Sequence, residues 1–140
     1  MCRSTIKTPV GSERTRVKSS KPAVILVGHG SKAKSFDGAM KQVARELRKG
    51  PYSSVRCAYL EITRPSIPQA VKSAVRSGAR EIRLVPYFVL SGRHIREHIP
   101  QIAREERARW KKTTKVTLCP YLGYDKRIVE VVKERVKNGR

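Results

Sequence analysis

From Ala23 onward the chain alternates between two hydrophobic periods. Short runs rich in Val, Leu, Ile and Tyr, at Ala23 to Val27, Val55 to Leu60, Glu81 to Tyr87 and Lys115 to Cys119, have the length and β-branched content of strands. The first of them, AVILV, has no polar position, the mark of a strand covered on both faces in a parallel sheet. Between these runs the apolar residues recur at helical spacing. Phe36, Met40, Val43, Ala44 and Leu47 predict one helix, with Ser35 available as its cap; Ile67, Ala70, Val71, Ala74 and Val75 predict a second, opened by Ser66, with Pro68 in its first turn, and closed by Gly78. Ile99, Ile102, Ala103 and Trp110 mark a third, and Ile128, Val129, Val132 and Val136 a fourth, behind Asp125. This fourfold βα alternation predicts an α/β fold, a three-layer sandwich with a four-stranded parallel sheet, because right-handed crossovers place helices on both faces.

The pattern begins only after residue 22. Residues 1–22 carry Arg3, Lys7, Arg14, Arg16, Lys18 and Lys21 against a single Glu13, with many Ser and Thr and no apolar period, which reads as a disordered basic tail ahead of one domain over 23–140. An organelle transit peptide shares this bias, and so does a bacterial or archaeal extension. No apolar run reaches the length of a membrane span and no signal-peptide core is present, so a soluble, cytoplasmic protein is expected, organelle targeting by the tail remaining open.

Composition adds a strong charge. Lys and Arg number 32 against 11 Asp and Glu, a formal net charge of +21, which attracts polyanions of some kind. The basic residues are spread along the chain with only two Phe and one Trp among them, which argues against a stacking surface for single-stranded nucleic acid. Cys2, Cys57 and Cys119 have no CxxC spacing; the last two fall in strand segments and read as reduced, buried thiols.

Ligands of open α/β sheets gather at the carboxyl ends of the strands. There the sequence places His29 with Ser31 after the first strand, in GHGS; Glu61 after the second; and His94 and His98 after the third, in VLSGRHIREHIP. Gly28 and Gly30 let the backbone turn and leave the His29 ring uncrowded. Each residue has a plainer role open to it. His29 could be held by Ser31, Glu61 could pair with Arg64 at the surface, and His94 could cover the sheet edge. His98 follows His94 by four residues, yet Pro100 suits the first turn of a helix starting near it, which weakens a shared-face reading. All three histidines and a carboxylate nonetheless converge on one edge, and that convergence favours a site. Imidazoles with a carboxylate and no thiolate suit a borderline divalent ion, Co(II), Fe(II), Ni(II) or Zn(II), whereas a permanent structural zinc site lacks its second half.

ILVGHGS, YLEITRPSIPQAV and VPYFVLSGRHIREHIP, in this order and spacing, resemble the three motifs of the small sirohydrochlorin chelatases, class II tetrapyrrole chelatases that insert Co(II) or Fe(II). The similarity covers about residues 23–137. It implies a single chelatase lobe working as a homodimer, larger members carrying two lobes in one chain, and a place in cobalamin or siroheme biosynthesis. It implies no permanent cofactor: the divalent metal, Ni(II) included, enters as substrate. The family's metal-handling histidines map to His29 and His94 and its acidic residue to Glu61, with His98 as a further metal-facing residue where the family usually has an aspartate. Ser31, Lys32, Arg64, Arg93 and Arg96 flank these motifs and suit the carboxylates of an acidic tetrapyrrole.

Two other readings compete. Histidine phosphatases use Arg-His-Gly after a first strand, and Gly28 stands where their arginine would clamp phosphate. A non-catalytic divalent-metal carrier fits the same histidines without insertion, and a nucleic-acid module fits the charge but has no reading helix or RNA-binding motif.

Overall fold

The computed structural model of the chain describes residues 20–140. Most of the basic tail and Cys2 lie outside the described residues. The ordered domain includes Pro22, whose carbonyl accepts a hydrogen bond from the Ser53 amide at 2.9 Å.

Four strands form one parallel sheet: β1 (Ala23–Gly28), β2 (Ser54–Tyr59), β3 (Glu81–Pro86) and β4 (Lys115–Leu118), in the order β2-β1-β3-β4. The central strand is AVILVG, buried at every position, as its lack of polar residues predicts. Its side chains alternate between faces. Ala23, Ile25 and Val27 pack with Ile82 and Leu84 under α2 (Ile67–Arg76) and α3 (Ile99–Trp110), through Ile67, Ala70, Val71, Ala74, Ile99 and Ala103. Val24 and Leu26 face the other way and pack with Val55 and Tyr59 under Met40 and Ala44 of α1 (Gly38–Leu47). The layers are therefore α1, sheet, and α2 with α3.

Local signals explain most helix ends. Ser66 and Gln69 form a reciprocal capping box at the start of α2, with Pro68 in the first turn, and Gly78 follows its end at φ +98°. Helix α1 departs from expectation. It starts at Gly38 rather than at Ser35, which sits at φ +58°. Asp37 precedes the helix without capping it, because its buried carboxylate is used by the Tyr59 hydroxyl and by Lys41 at 3.2 Å. Phe36 lies edge-on to the Tyr59 ring, centroids 5.6 Å apart, instead of entering the helix.

A second departure concerns α4 (Lys126–Lys137). Asp125 caps it as expected, its carboxylate accepting from the Arg127 amide at 2.9 Å, yet no residue of the helix is buried. It joins neither layer. On the α1 face, Val85 and Tyr87 at and just beyond β3 and Cys119 after β4 are only partly buried, and Arg83 is half exposed. Cys57 and Cys119 are free, and burial raises both thiols above the ordinary range. No helix among the described residues is long and apolar enough to cross a membrane.

Candidate metal-binding site

The carboxyl edge of β1, β2 and β3 carries the site. The β1–β2 pairing continues one step past the strands, with the Leu60 amide donating to Gly28 and the Glu61 amide to the carbonyl of His29 at 3.1 Å. This zipper sets Glu61 beside His29. It requires the two backbones to touch: Gly30 has φ +104°, and a Cβ built on it would lie 1.8 Å from the Glu61 carbonyl oxygen. Ile62, the next residue, is held at φ +68°, a rare conformation for a β-branched side chain and a mark of a segment fixed by its surroundings. Thr63 completes the lock. Its hydroxyl accepts from the Ser31 amide and donates to the Ser31 carbonyl, both at 3.0 Å.

From the third strand the chain reaches the site through a π-helical turn, His94–His98, which runs directly into α3. The Ile99 amide donates to the carbonyl of His94, five residues back, and Pro100 fits the first turn of α3, where no amide is needed. The wide turn keeps His94 and His98 on one face after all.

Three ligand atoms converge. One each from His29, Glu61 and His94 lie within 4.8 Å of one another. His29 Nε2 is 3.0 Å from His94 Nε2 and 3.2 Å from Glu61 Oε1. His29 Nδ1 is 3.1 Å from the Gly30 carbonyl, an acceptor for an Nδ1 proton, and in that tautomer the Nε2 lone pair is free to meet an ion in the cluster. The side chains of His29 and Glu61 are 47% and 52% exposed, so an ion here is open to solvent and exchange. Partial burial, then the imidazoles of His29 and His98, hold His94 below the ordinary imidazole range, and Glu61 pulls weakly the other way; His94 is thus a neutral ligand at neutral pH.

His98 stands elsewhere than among the converging atoms. Its Nδ1 is 2.8 Å from Nδ1 of His94, on the far side of that ring from His29. Such a neighbour orients a ligand and chooses which nitrogen carries its proton. Ser31 is taken up by loop geometry, its hydroxyl accepting from the Ala33 amide at 3.0 Å. Arg93 pairs with Glu97 at 3.0 Å, while Lys32, Arg64 and Arg96 are exposed. A groove of about 610 Å³ starts at Thr63, Arg64 and Pro65 beside the site and follows the β2 edge past Lys41 and Arg45. Thr63 and the backbone role of Gly30 are the contributions that sequence reasoning missed, since a threonine in TRP has no signature of its own and the contact at Gly30 is tertiary.

Comparison with known proteins bears on the family and the fold. The profile of the CbiX family matches residues 23–139. A sirohydrochlorin cobaltochelatase of Sulfolobus acidocaldarius is 32% identical over 114 residues, covering 81% of this chain and 89% of its own length. One of Sulfurisphaera tokodaii is 35% identical over 114 residues, covering 81% and 90%. Among solved structures, a CbiX protein of Marinobacter aquaeolei VT8 superposes with a TM-score of 0.70 at 25% identity, over 84% of this chain and 99% of that one. The sirohydrochlorin chelatase SirB of Bacillus subtilis subspecies spizizenii, in complex with cobalt, superposes with a TM-score of 0.76 at 24% identity, over 84% of this chain but 50% of that one. The fold is that of one lobe of the longer chain.

Proposed function

The chain belongs to the CbiX family, and from that premise we propose that it inserts a divalent metal, Co(II) or Fe(II), into sirohydrochlorin, with His29, His94 and Glu61 as the groups that meet the ion. The observation that supports this most directly is the convergence of one nitrogen from each histidine and one carboxylate oxygen at an exposed strand edge.

Insertion exchanges one M²⁺ for two pyrrole N–H protons, and the ion must shed water as the macrocycle nitrogens take it. His29 Nε2 and His94 Nε2 replace part of the hydration shell, as two neutral ligands that hold a divalent ion without neutralising it. Glu61, 3.2 Å from His29 Nε2, is the carboxylate within reach of the released protons. For His94 to coordinate through Nε2, its own proton must sit on Nδ1, where His98 Nδ1 is placed to accept it. His98 therefore positions His94 and does not compete for the ion. The exposed cations Lys32, Arg64 and Arg96, with the groove that continues from Arg64, suit the rim carboxylates of the tetrapyrrole. A single lobe leaves the site on an open edge, so a second copy facing the first supplies the other wall of a cleft, the place the second lobe holds in longer relatives.

The test is an absorbance assay with sirohydrochlorin and Co(II), Fe(II) and Ni(II) in parallel. His29→Ala and His94→Ala should each abolish enzyme-dependent insertion with the fold retained, and Glu61→Gln should lower the rate while metal still binds. Metal binding without any acceleration of insertion would make the protein a carrier instead.

A further inference from the structure

Ile62 is held at a cost. Its φ is +68°, and the Thr63 amide donates to the Glu61 carbonyl, two residues back, at 2.6 Å, so Ile62 is the centre of a three-residue turn of the rare, strained kind. A β-branched side chain is among the worst fits for that backbone. It gains no burial in return, for Ile62 is 61% exposed. Neither local preference nor the packing of the lobe accounts for an isoleucine here.

More exposed apolar side chains stand across the histidines. The backbone leaving β3 is pinned, the Tyr87 amide donating to Val27 at 2.8 Å and the Gly123 amide to Phe88 at 3.1 Å, and the next two residues, Val89 and Leu90, are 50% and 80% exposed. In the sheet β1 lies between β2 and β3. His29, at the end of β1, therefore has the Ile62 loop on one side and the Val89–Leu90 loop on the other, leaving strands two spacings, or about 10 Å, apart. Single exposed apolar residues are ordinary. Apolar residues on the very loops that carry the ion ligands, one of them in a strained turn, are not.

We infer that Ile62 and Leu90 are substrate-positioning residues, apolar supports on either side of the His29, Glu61 and His94 cluster against which the face of the tetrapyrrole rests while its nitrogens meet the ion. This rests on the insertion reading above and deepens it. A carboxylated tetrapyrrole presents two chemistries, an anionic rim and a flat apolar face. Exposed cations suit the rim; the face needs apolar surface, which the two imidazoles and the carboxylate do not supply. Strain persists at such a position because the surroundings over-determine the turn, here through the Glu61 amide on the His29 carbonyl and the paired Ser31–Thr63 hydrogen bonds.

Titration of metal-free sirohydrochlorin into the full chain, followed by its absorbance, tests this alongside Co(II) calorimetry and thermal melts of the same variants. Ile62→Asn removes the apolar side chain and tolerates a positive φ better than isoleucine does. Sirohydrochlorin binding should weaken by roughly tenfold, while Co(II) affinity stays within about twofold and the melting temperature does not fall. Ile62→Leu, which keeps the apolar bulk, should bind sirohydrochlorin as the wild type does. Leu90→Asn, at a position too exposed to hold the fold, should likewise weaken ring binding and leave metal binding alone. Undiminished sirohydrochlorin binding in either Asn variant overturns the proposal. So does a lower melting temperature or a lost Co(II) affinity in Ile62→Asn, which would make Ile62 a packing residue of the loop. A wild type that binds no sirohydrochlorin fails earlier, at the insertion reading itself, and takes the proposal with it.

Discussion

Replacing Gly30 by Ala tests the backbone contact that sets Glu61 beside His29. The added methyl would lie 1.8 Å from the Glu61 carbonyl oxygen and 3.0 Å from its carbon, both backbone atoms with no side-chain freedom to yield. Restoring van der Waals contact requires the 61–63 segment to move by more than an ångström, and the φ of +104° adds strain of about 1–3 kcal/mol for any L side chain. The displacement falls on the Glu61 amide to His29 carbonyl bond and on the Ser31–Thr63 pair, so the ligand atoms separate. A misplacement of about 1 Å at a reacting centre costs roughly 10²-fold in rate. Gly30→Ala should therefore lose about that much insertion activity, and its melting temperature should fall by a few degrees per kcal/mol of strain. Gly28→Ala is the matched control. Its methyl presses on the Met40 Cε and Sδ, at 3.1 and 3.2 Å, the far end of a flexible side chain, and meets Tyr59 Cδ1 in ordinary contact at 3.7 Å, so its rate should stay within a few-fold of wild type. If Gly30→Ala turns over sirohydrochlorin at the wild-type rate, the register of these two loops is not what assembles the site.

Three further outcomes follow from the same geometry. His98→Asp puts an acceptor-only group behind His94 Nδ1, fixes the proton there and frees Nε2, so Co(II) affinity measured by calorimetry should rise by roughly tenfold; weaker binding would show that His98 itself holds the ion. Because burial and its neighbours depress His94, its ring, followed by its NMR shifts, should stay neutral through the ordinary imidazole range near pH 6.5 and protonate only on further acidification; a His94 titration centred above that range would contradict the assignment. Tyr59→Phe removes the hydrogen bond that, first among its causes, holds the Asp37 carboxyl below its usual range. A depressed carboxylate stabilises the fold above its unfolded pKa of about 3.9 and loses that contribution as pH falls through the lower folded value, so urea melts should show the variant about 1–2 kcal/mol less stable at pH 7, with the gap narrowing as the pH falls below the unfolded value.

How far the fold was legible follows from which forces act locally. The strands of the sheet stand out because AVILV cannot be amphipathic, and α2 because Ser66, Gln69, Pro68 and Gly78 each act within a few residues of their own position. Ser35 misled for the opposite reason. The start of α1 is decided by Asp37 and Phe36 reaching Tyr59, twenty-odd residues away, and no local preference reports that. The valines of α4 have the period of a packed helix, yet none of them is buried, because periodicity marks a face without saying what covers it. The histidines were legible as a group because strand ends collect chemistry, but Pro100 concealed the shared face of His94 and His98: a proline argues against a continuous α-helix, and the chain answers with a π-helical turn that satisfies the Ile99 amide one residue further back.

The openness of the site bears on what it can do with a metal. A structural ion is held by four protein ligands in a closed shell, and its binding energy is spent on the fold. Here two imidazoles and one carboxylate meet on an edge where His29 and Glu61 are about half exposed, and the sheet beneath them is packed without any contribution from an ion. An ion bound there would keep open positions for water or for entering pyrrole nitrogens, and the lobe has its packed core without one. Two imidazole nitrogens and one exposed carboxylate would replace part of the ion's water without enclosing it, whereas a tetrapyrrole surrounds it with four nitrogens. The arrangement that would make a poor structural metal site is for this reason a suitable one for handing the metal on.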